Sequence, residues 1–107
     1  LKAFRAGGRE GAEAFFDDPA AHRLARRALE ANRVLGAICI APSILARAGL
    51  LEGVRATAFG SQREDLVAHG AIWTGRPVEV DGAIVTANGP DAARDFGMEI
   101  ADTLGLP

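Results

Sequence analysis

The segment Ala37-Ile-Cys-Ile-Ala-Pro42 constrains this chain more than any other stretch. It ends an almost wholly apolar run, Val34-Leu-Gly-Ala-Ile-Cys39, and leads straight into a proline. A short apolar run bounded in this way reads as a strand buried on both faces, which needs helices above and below it. Proline suits the first turn of a helix. Between strand and helix, Ala37 and Ala41 stand two positions to either side of Cys39. Small residues there are what a tight, strained strand-to-helix elbow requires. Reactive groups of open α/β sheets gather at the C-terminal ends of strands, where Cys39 falls.

The flanking segments supply the other layers. Residues 4–16 are rich in Gly and Ala and read as a loop with room for a short strand. Asp18-Pro19 starts a helix, with Asp as N-cap and Pro at the first helical position. Apolar positions 21, 24, 25, 28 and 29 form one helical face, opposite Arg23, Arg26, Arg27 and Glu30, and Asn32 suits the C-terminal cap. A second helix runs from Pro42 to the stop at Gly49, with Ile44, Leu45 and Ala48 inward. Residues 54–59 alternate as a strand, and Ser61-Gln-Arg-Glu64 matches a capping box before a short helix ending near His69-Gly70. Residues 71–74, 77–80 and 83–87 read as strands, the last two joined by an Asp81-Gly82 hairpin turn. Gly89-Pro90 opens a final helix with Ala93, Phe96, Gly97, Ile100, Ala101 and Leu104 on one face. This order predicts an open, mostly parallel α/β sheet with one inserted hairpin, in a single domain over residues 1–107.

Composition narrows the function classes. The chain has 107 residues, 12 basic and 14 acidic, with a net charge of −2, so there is no basic footprint for nucleic acid. No apolar run approaches the ~20 residues of a membrane span. One cysteine excludes an internal disulfide and a cysteine-based metal cluster, so a reducing cytoplasm is expected. The start, Leu1-Lys-Ala-Phe-Arg5, lacks a long apolar region and a cleavage site. No cofactor is expected: Gly7-Gly8 is only a fragment of any phosphate-loop pattern.

Cys39 has two readings. In the first, a helix starting at Pro42 favours the thiolate, and the Ile40 backbone N–H donates to an oxyanion. In the second, Cys39 is an inert core residue. The Gly7-Gly8 pair is either a backbone approach to a ligand or an ordinary loop. His22 and His69 have no partner at metal or triad spacing and read as surface or capping residues. Arg23, Arg26 and Arg27 read as a solvated helix face. Trp73 reads as packing, with a pocket wall or a subunit contact as the lesser alternatives. Glu10 and Glu13 flank the glycine pair, and nothing marks either as a general base.

These residues carry a family resemblance. The stretch Ala37-Ile-Cys-Ile-Ala-Pro-Ser-Ile-Leu-Ala-Arg-Ala-Gly-Leu-Leu51 resembles the nucleophile-elbow segment of the PfpI family. That family includes cysteine peptidase-like proteins and the parkinsonism-associated deglycase. The similarity extends through Gly53-Val-Arg-Ala-Thr57, Val78-Glu-Val-Asp-Gly82 and Ile84-Val-Thr-Ala-Asn-Gly-Pro-Asp-Ala-Ala-Arg-Asp-Phe-Gly97, and Gly7-Gly8 resembles the family's earlier glycine loop. The resemblance implies a flavodoxin-like, class I glutamine amidotransferase-like α/β/α sandwich. It implies Cys39 as the reactive cysteine, the backbones of Gly8 and Ile40 as oxyanion-hole donors, and assembly into dimers or larger rings.

Three departures accompany it. Peptidase-type members carry His directly after the cysteine, where Ile40 stands here. The acidic partner of the family's cysteine comes from an early strand–helix segment, and this chain begins at or just before the glycine loop, without an initial Met. Ala6 replaces the Pro that commonly precedes the glycine pair. We therefore expect an N-terminally incomplete domain whose sheet lacks central pairings, either a piece of a longer protein or one completed by another chain.

Three functions follow from this. One is glyoxalase- or deglycase-like attack of Cys39 on a small electrophilic carbonyl or a modified protein; peptidase-like or other cysteine hydrolase chemistry is the lesser form, given Ile40. The second is a non-catalytic redox or stress-response protein with an oxidisable Cys39. The third is an inactive remnant.

Overall fold

The computed structural model describes residues 15–105. The first helix, α1 (Pro19–Glu30), starts as its sequence dictates: Asp18 accepts a 2.9 Å hydrogen bond from the Ala20 N–H, and Pro19 occupies the first turn. It ends in a Schellman motif, with the Asn32 N–H donating to the Leu29 carbonyl and the Arg33 N–H to the Ala28 carbonyl. Asn32 takes φ 57°, the left-handed conformation that this motif needs and Asn tolerates. The buried stripe is narrower than expected. Ala21 and Ala25 are buried and Ala28 and Leu29 half-buried, but Leu24 is 59% exposed. Leu24 lies roughly a quarter turn from the centre of the alanine stripe, outside the line along which the helix meets its neighbours.

Strand β1 (Leu35–Ile38) pairs in parallel with β5 (Ile84–Ala87), in register Leu35↔Ile84 to Ile38↔Ala87. On its other edge β5 pairs antiparallel with β4 (Val78–Asp81), giving the order β1-β5-β4. The β4–β5 hairpin turns through Gly82-Ala83. Only Gly82 has positive φ (60°), which matches a type II′ turn with glycine first. A second, two-stranded parallel sheet joins β2 (Arg55–Ala56) to β3 (Ile72–Trp73). The expected strand over residues 54–59 is therefore shortened to two residues. Beyond Ala56 the backbone leaves the ladder: the Thr57 N–H donates to Thr86 Oγ1 (2.9 Å) and the Phe59 N–H to the Cys39 carbonyl (2.7 Å). At the other end, the Arg55 N–H donates to Asp81 Oδ2 (2.9 Å), so β2 is tied to the hairpin and β5 through side chains.

Helices cover both faces, the layering that strands buried on two sides demand. On one face α1, α2 (Pro42–Arg47) and α3 (Arg63–Ala68) enclose Leu35, Ala37, Ile44, Leu45, Leu51, Leu66 and Ile84. On the other, α4 (Ala93–Thr103) packs Phe96 and Ile100 against Val34, Val85 and Ala87. Neighbours on β5, Ile84 and Val85, thus go to opposite cores, as the period of two requires. The fold is the expected flavodoxin-like α/β/α sandwich.

Two local expectations are corrected. The capping box at Ser61–Glu64 does not form. A 3₁₀ turn (Gly60–Gln62) precedes α3 and the helix start has no side-chain cap, while Gln62 Nε2 donates to Ser43 Oγ (2.7 Å). The Ser61 hydroxyl donates to Gln62 Oε1 (2.9 Å) instead of capping the helix, and the Gly60 carbonyl accepts the Arg63 N–H within the 3₁₀ turn. The final helix opens through a 3₁₀ turn (Pro90–Ala92), and Ala93 and Gly97 are exposed rather than inward. Arg26 is also more than a solvated charge, because its Nη2 donates to the Ala48 carbonyl (2.8 Å) and links α1 to the end of α2.

Two predictions follow from this packing. A Cβ at Gly36 would lie 2.7 Å from Ile100 Cδ1 and 3.0 Å from Phe96 Cζ. Gly36→Val overpacks the β1–α4 contact and lowers stability by about 1–3 kcal/mol, read from the urea midpoint. Arg47, at the end of α2, bonds Asp17 (2.8 Å) and Asp65 (3.2 Å) and sits 5.0 Å over the Phe16 ring. The hydrogen bond that Arg47 donates to Asp65 leads in raising its guanidinium pKa above the ordinary arginine value. The network is partly exposed, so Arg47→Ala costs about 1 kcal/mol, and a loss below the error of the urea midpoint contradicts this.

Candidate functional site

The elbow is built by three hydrogen bonds and one unusual torsion. Cys39 follows β1 with φ 65° and, with Asn32, is one of two non-glycine residues at positive φ among those described. Its N–H donates to the Ala87 carbonyl (2.9 Å), its carbonyl accepts the Phe59 N–H (2.7 Å), and the Ala41 N–H closes the turn onto the Ile38 carbonyl (3.1 Å). A left-handed cysteine costs about 1–3 kcal/mol and persists only where its surroundings over-determine it. The flanking alanines are each 1% exposed, so a larger side chain at 37 or 41 would have to enter the packed core. The spacing read from the sequence is thus a packing requirement of this turn.

Cys39 itself is half-buried and free. Next to it, Ile40 is 2% exposed, and its side chain belongs to the core beneath α1 and α2. That explains its apolar identity: the position directly after the cysteine faces inward here. The Ile40 N–H finds no backbone acceptor among the described residues, so this donor stands next to the thiol without a backbone partner. The helix that follows, α2, is only six residues long.

The histidines lie elsewhere, and of the surface or capping roles expected, His69 takes a capping one. His22 Nε2 is 2.6 Å from the Phe16 carbonyl oxygen, and His69 caps α3 with Nδ1 2.7 Å from the Asp65 carbonyl oxygen. Neither hydrogen-bonds Cys39. Gly7, Gly8, Glu10 and Glu13 lie outside the described residues.

A cleft of about 320 Å³ opens at the strands' C-terminal ends. Phe59 and Gly60 line it after β2, Trp73 and Gly75 at the end of β3, and residues 88–91 after β5. Cys39 does not line it, but its two backbone partners are Phe59, which does, and Ala87, which precedes Asn88. Ala58 and Trp73, two of the cleft's walls, pack in the same core cluster as Cys39. Trp73 therefore takes the pocket role that the sequence left as a lesser alternative. Phe59, Asn88 and Asp91 were missed as site residues. Their only sequence signal is position near the C-terminal ends of predicted strands, where open α/β sheets hold ligands: Phe59 ends one, Asn88 follows another, and Asp91 lies in the turn that opens the final helix. Behind the cleft, buried Thr57 donates its N–H to Thr86, while its own hydroxyl has no partner among the described residues.

Known proteins resemble this arrangement along nearly all of the chain. The sequence model of the DJ-1/PfpI family matches residues 5–103. An uncharacterized protein of Methanocaldococcus jannaschii is 48% identical over 71 residues, covering 64% of this chain and 35% of that protein. Deglycase PfpI of Pyrococcus furiosus is 34% identical over 67 residues, covering 63% of this chain and 40% of that protein. The crystal structure of a ThiJ/PfpI domain protein from Brachyspira murdochii superposes with a TM-score of 0.93 at 28% identity, covering 98% of this chain and 61% of that one. The chain spans between about a third and a half of the length of the first curated relatives it matches. With a family match over residues 5–103, an elbow at Cys39 and the shared sandwich, the chain belongs to the DJ-1/PfpI family.

Proposed function

We propose that Cys39 is a nucleophile acting on electrophilic carbonyls, in glyoxalase- or deglycase-like chemistry. The observation that carries this reading is the φ of 65° at Cys39, held between β1 and α2 at the sheet edge where the cleft opens. A left-handed torsion at a half-buried, free thiol supports the functional turn over the inert core cysteine. The deglycase named among the relatives supports the carbonyl-directed form.

The first step is an addition. The Cys39 thiolate forms a bond from Sγ to the carbonyl carbon, the C=O pair moves onto oxygen, and solvent protonates it, giving a thiohemiacetal. The developing oxyanion is met by the Ile40 N–H, with the Gly8 backbone proposed as the second donor. The Ile40 side chain has no titratable group, so a histidine-assisted peptidase step from that position is disfavoured. Proton handling beyond the addition needs a carboxylate, which the family resemblance assigns to a segment preceding Gly8. Assembly into homo-oligomers and a cytoplasmic location are proposals of the same standing.

The test separates addition from turnover. Methylglyoxal protects Cys39 of the wild-type protein from alkylation, reversibly on dilution, and any methylglyoxal consumption falls to the uncatalysed rate in Cys39→Ser. Consumption that persists in Cys39→Ser rejects the nucleophile. A Cys39 that peroxide oxidises selectively, with neither protection nor turnover, selects the redox-sensing alternative instead.

A further inference from the structure

We propose that the cleft beside Cys39 selects its substrates by charge: Asp91 and the Trp73 and Phe59 rings favour a cationic group next to the electrophilic atom. The proposal rests on the reading of Cys39 as a nucleophile and adds the substrate class.

Among the residues lining the cleft, Asp91 alone carries an ionisable side chain. The two aromatic walls are both available. Phe59 is 46% exposed, and Trp73 is half-buried with its indole nitrogen held over Gly75, where an added Cβ would lie 3.2 Å from it. Gly75 has φ 69°, so a side chain there would be strained as well as crowded. A Cβ added at Gly89 would lie 3.9 Å from Phe59 Cδ1, an ordinary van der Waals contact. Ring faces attract cations and repel anions, and the exposed Asp91 carboxylate that lines the same cleft adds to that field. The basic residue next to Gly75, Arg76, does not line the cleft. A substrate that reaches Cys39 along this route passes one negative charge and two aromatic faces.

Asp91 also lies in the 3₁₀ turn that opens α4, where an acidic residue suits the helix N-terminus. That role affects stability. The helix end's partial positive charge offsets part of the Asp91 field, so the experiment reads the net preference at the thiol. Cys39 is the only cysteine in the chain, which makes thiol labelling specific to it. Two methanethiosulfonates of similar size, one bearing trimethylammonium and one bearing sulfonate, serve as probes. Each transfers its thioalkyl group to the Cys39 thiolate: an Sγ–S bond forms, the reagent's S–S bond breaks, and methanesulfinate leaves with the electron pair.

With rates normalised to those of 2-mercaptoethanol, the cationic reagent reacts about threefold or more faster at low salt, and the preference shrinks as salt is raised. Asp91→Asn cuts the preference at least twofold, while Glu30→Gln, the same charge change on α1, leaves it in place. A wild-type preference for the anion, or one that Asp91→Asn leaves unchanged, overturns the proposal while leaving the nucleophile reading intact. A native Cys39 that refuses both reagents overturns both. A preference that follows Asp91 in a protein without turnover supports the charge selection and counts only against catalysis.

Discussion

The structure depends on how the backbone at Cys39 is pinned. Left-handed φ at a residue with a Cβ is unfavourable by about 1–3 kcal/mol, and nothing local to cysteine compensates for it. The compensation is long-range: one hydrogen bond to Ala87 at the end of β5 and one from Phe59 beyond β2. Each contributes about 0.5–1.5 kcal/mol net, so the two together match the strain. Because both partners sit at strand ends, the same contacts that hold the cysteine also bring three strand termini together and define the cleft edge.

The layers exist to make that pinning rigid. Strand β1 is buried from Leu35 to Ala37 and its register against β5 places Ile38 opposite Ala87, one step before the elbow. On the far side Gly36 lets Phe96 and Ile100 of α4 approach the strand closely. On the near side α2 is fully sunk from Pro42 to Ala46, and Arg47 fastens its end to Asp17 and Asp65. A shift of one residue in the β1–β5 register would exchange the two cores and remove the Cys39–Ala87 bond.

Ile40 is where packing and chemistry meet. The elbow turns its side chain into the core and leaves its N–H beside the thiol without a backbone acceptor among the described residues. An apolar residue satisfies the core, and the same choice leaves the thiol without an adjacent base from that position. The polar character of the site comes instead from backbone N–H groups and from the cleft, where Asp91 supplies the negative charge.

Much of this was legible in the residues. The alternation of apolar runs with capped helical segments determines the α/β class, because buried strands must be covered on both faces. Asp18-Pro19, Asn32 and Gly49 mark helix ends through local hydrogen bonding, and local chemistry is what a sequence encodes directly. Ala37, Cys39 and Ala41 located the elbow because its steric limits fall on neighbouring positions. Tertiary structure decided what depends on distant partners. It cut the strand at residues 54–59 to two residues, since Thr57 and Phe59 bond to Thr86 and Cys39 instead of to a ladder. It left Leu24 outside, and turned Ser61 away from the helix start to Gln62, which itself reaches Ser43. It also gathered Phe59, Trp73 and Asp91 into one cleft from positions 59, 73 and 91, a juxtaposition set by strand order and register that no local pattern carries.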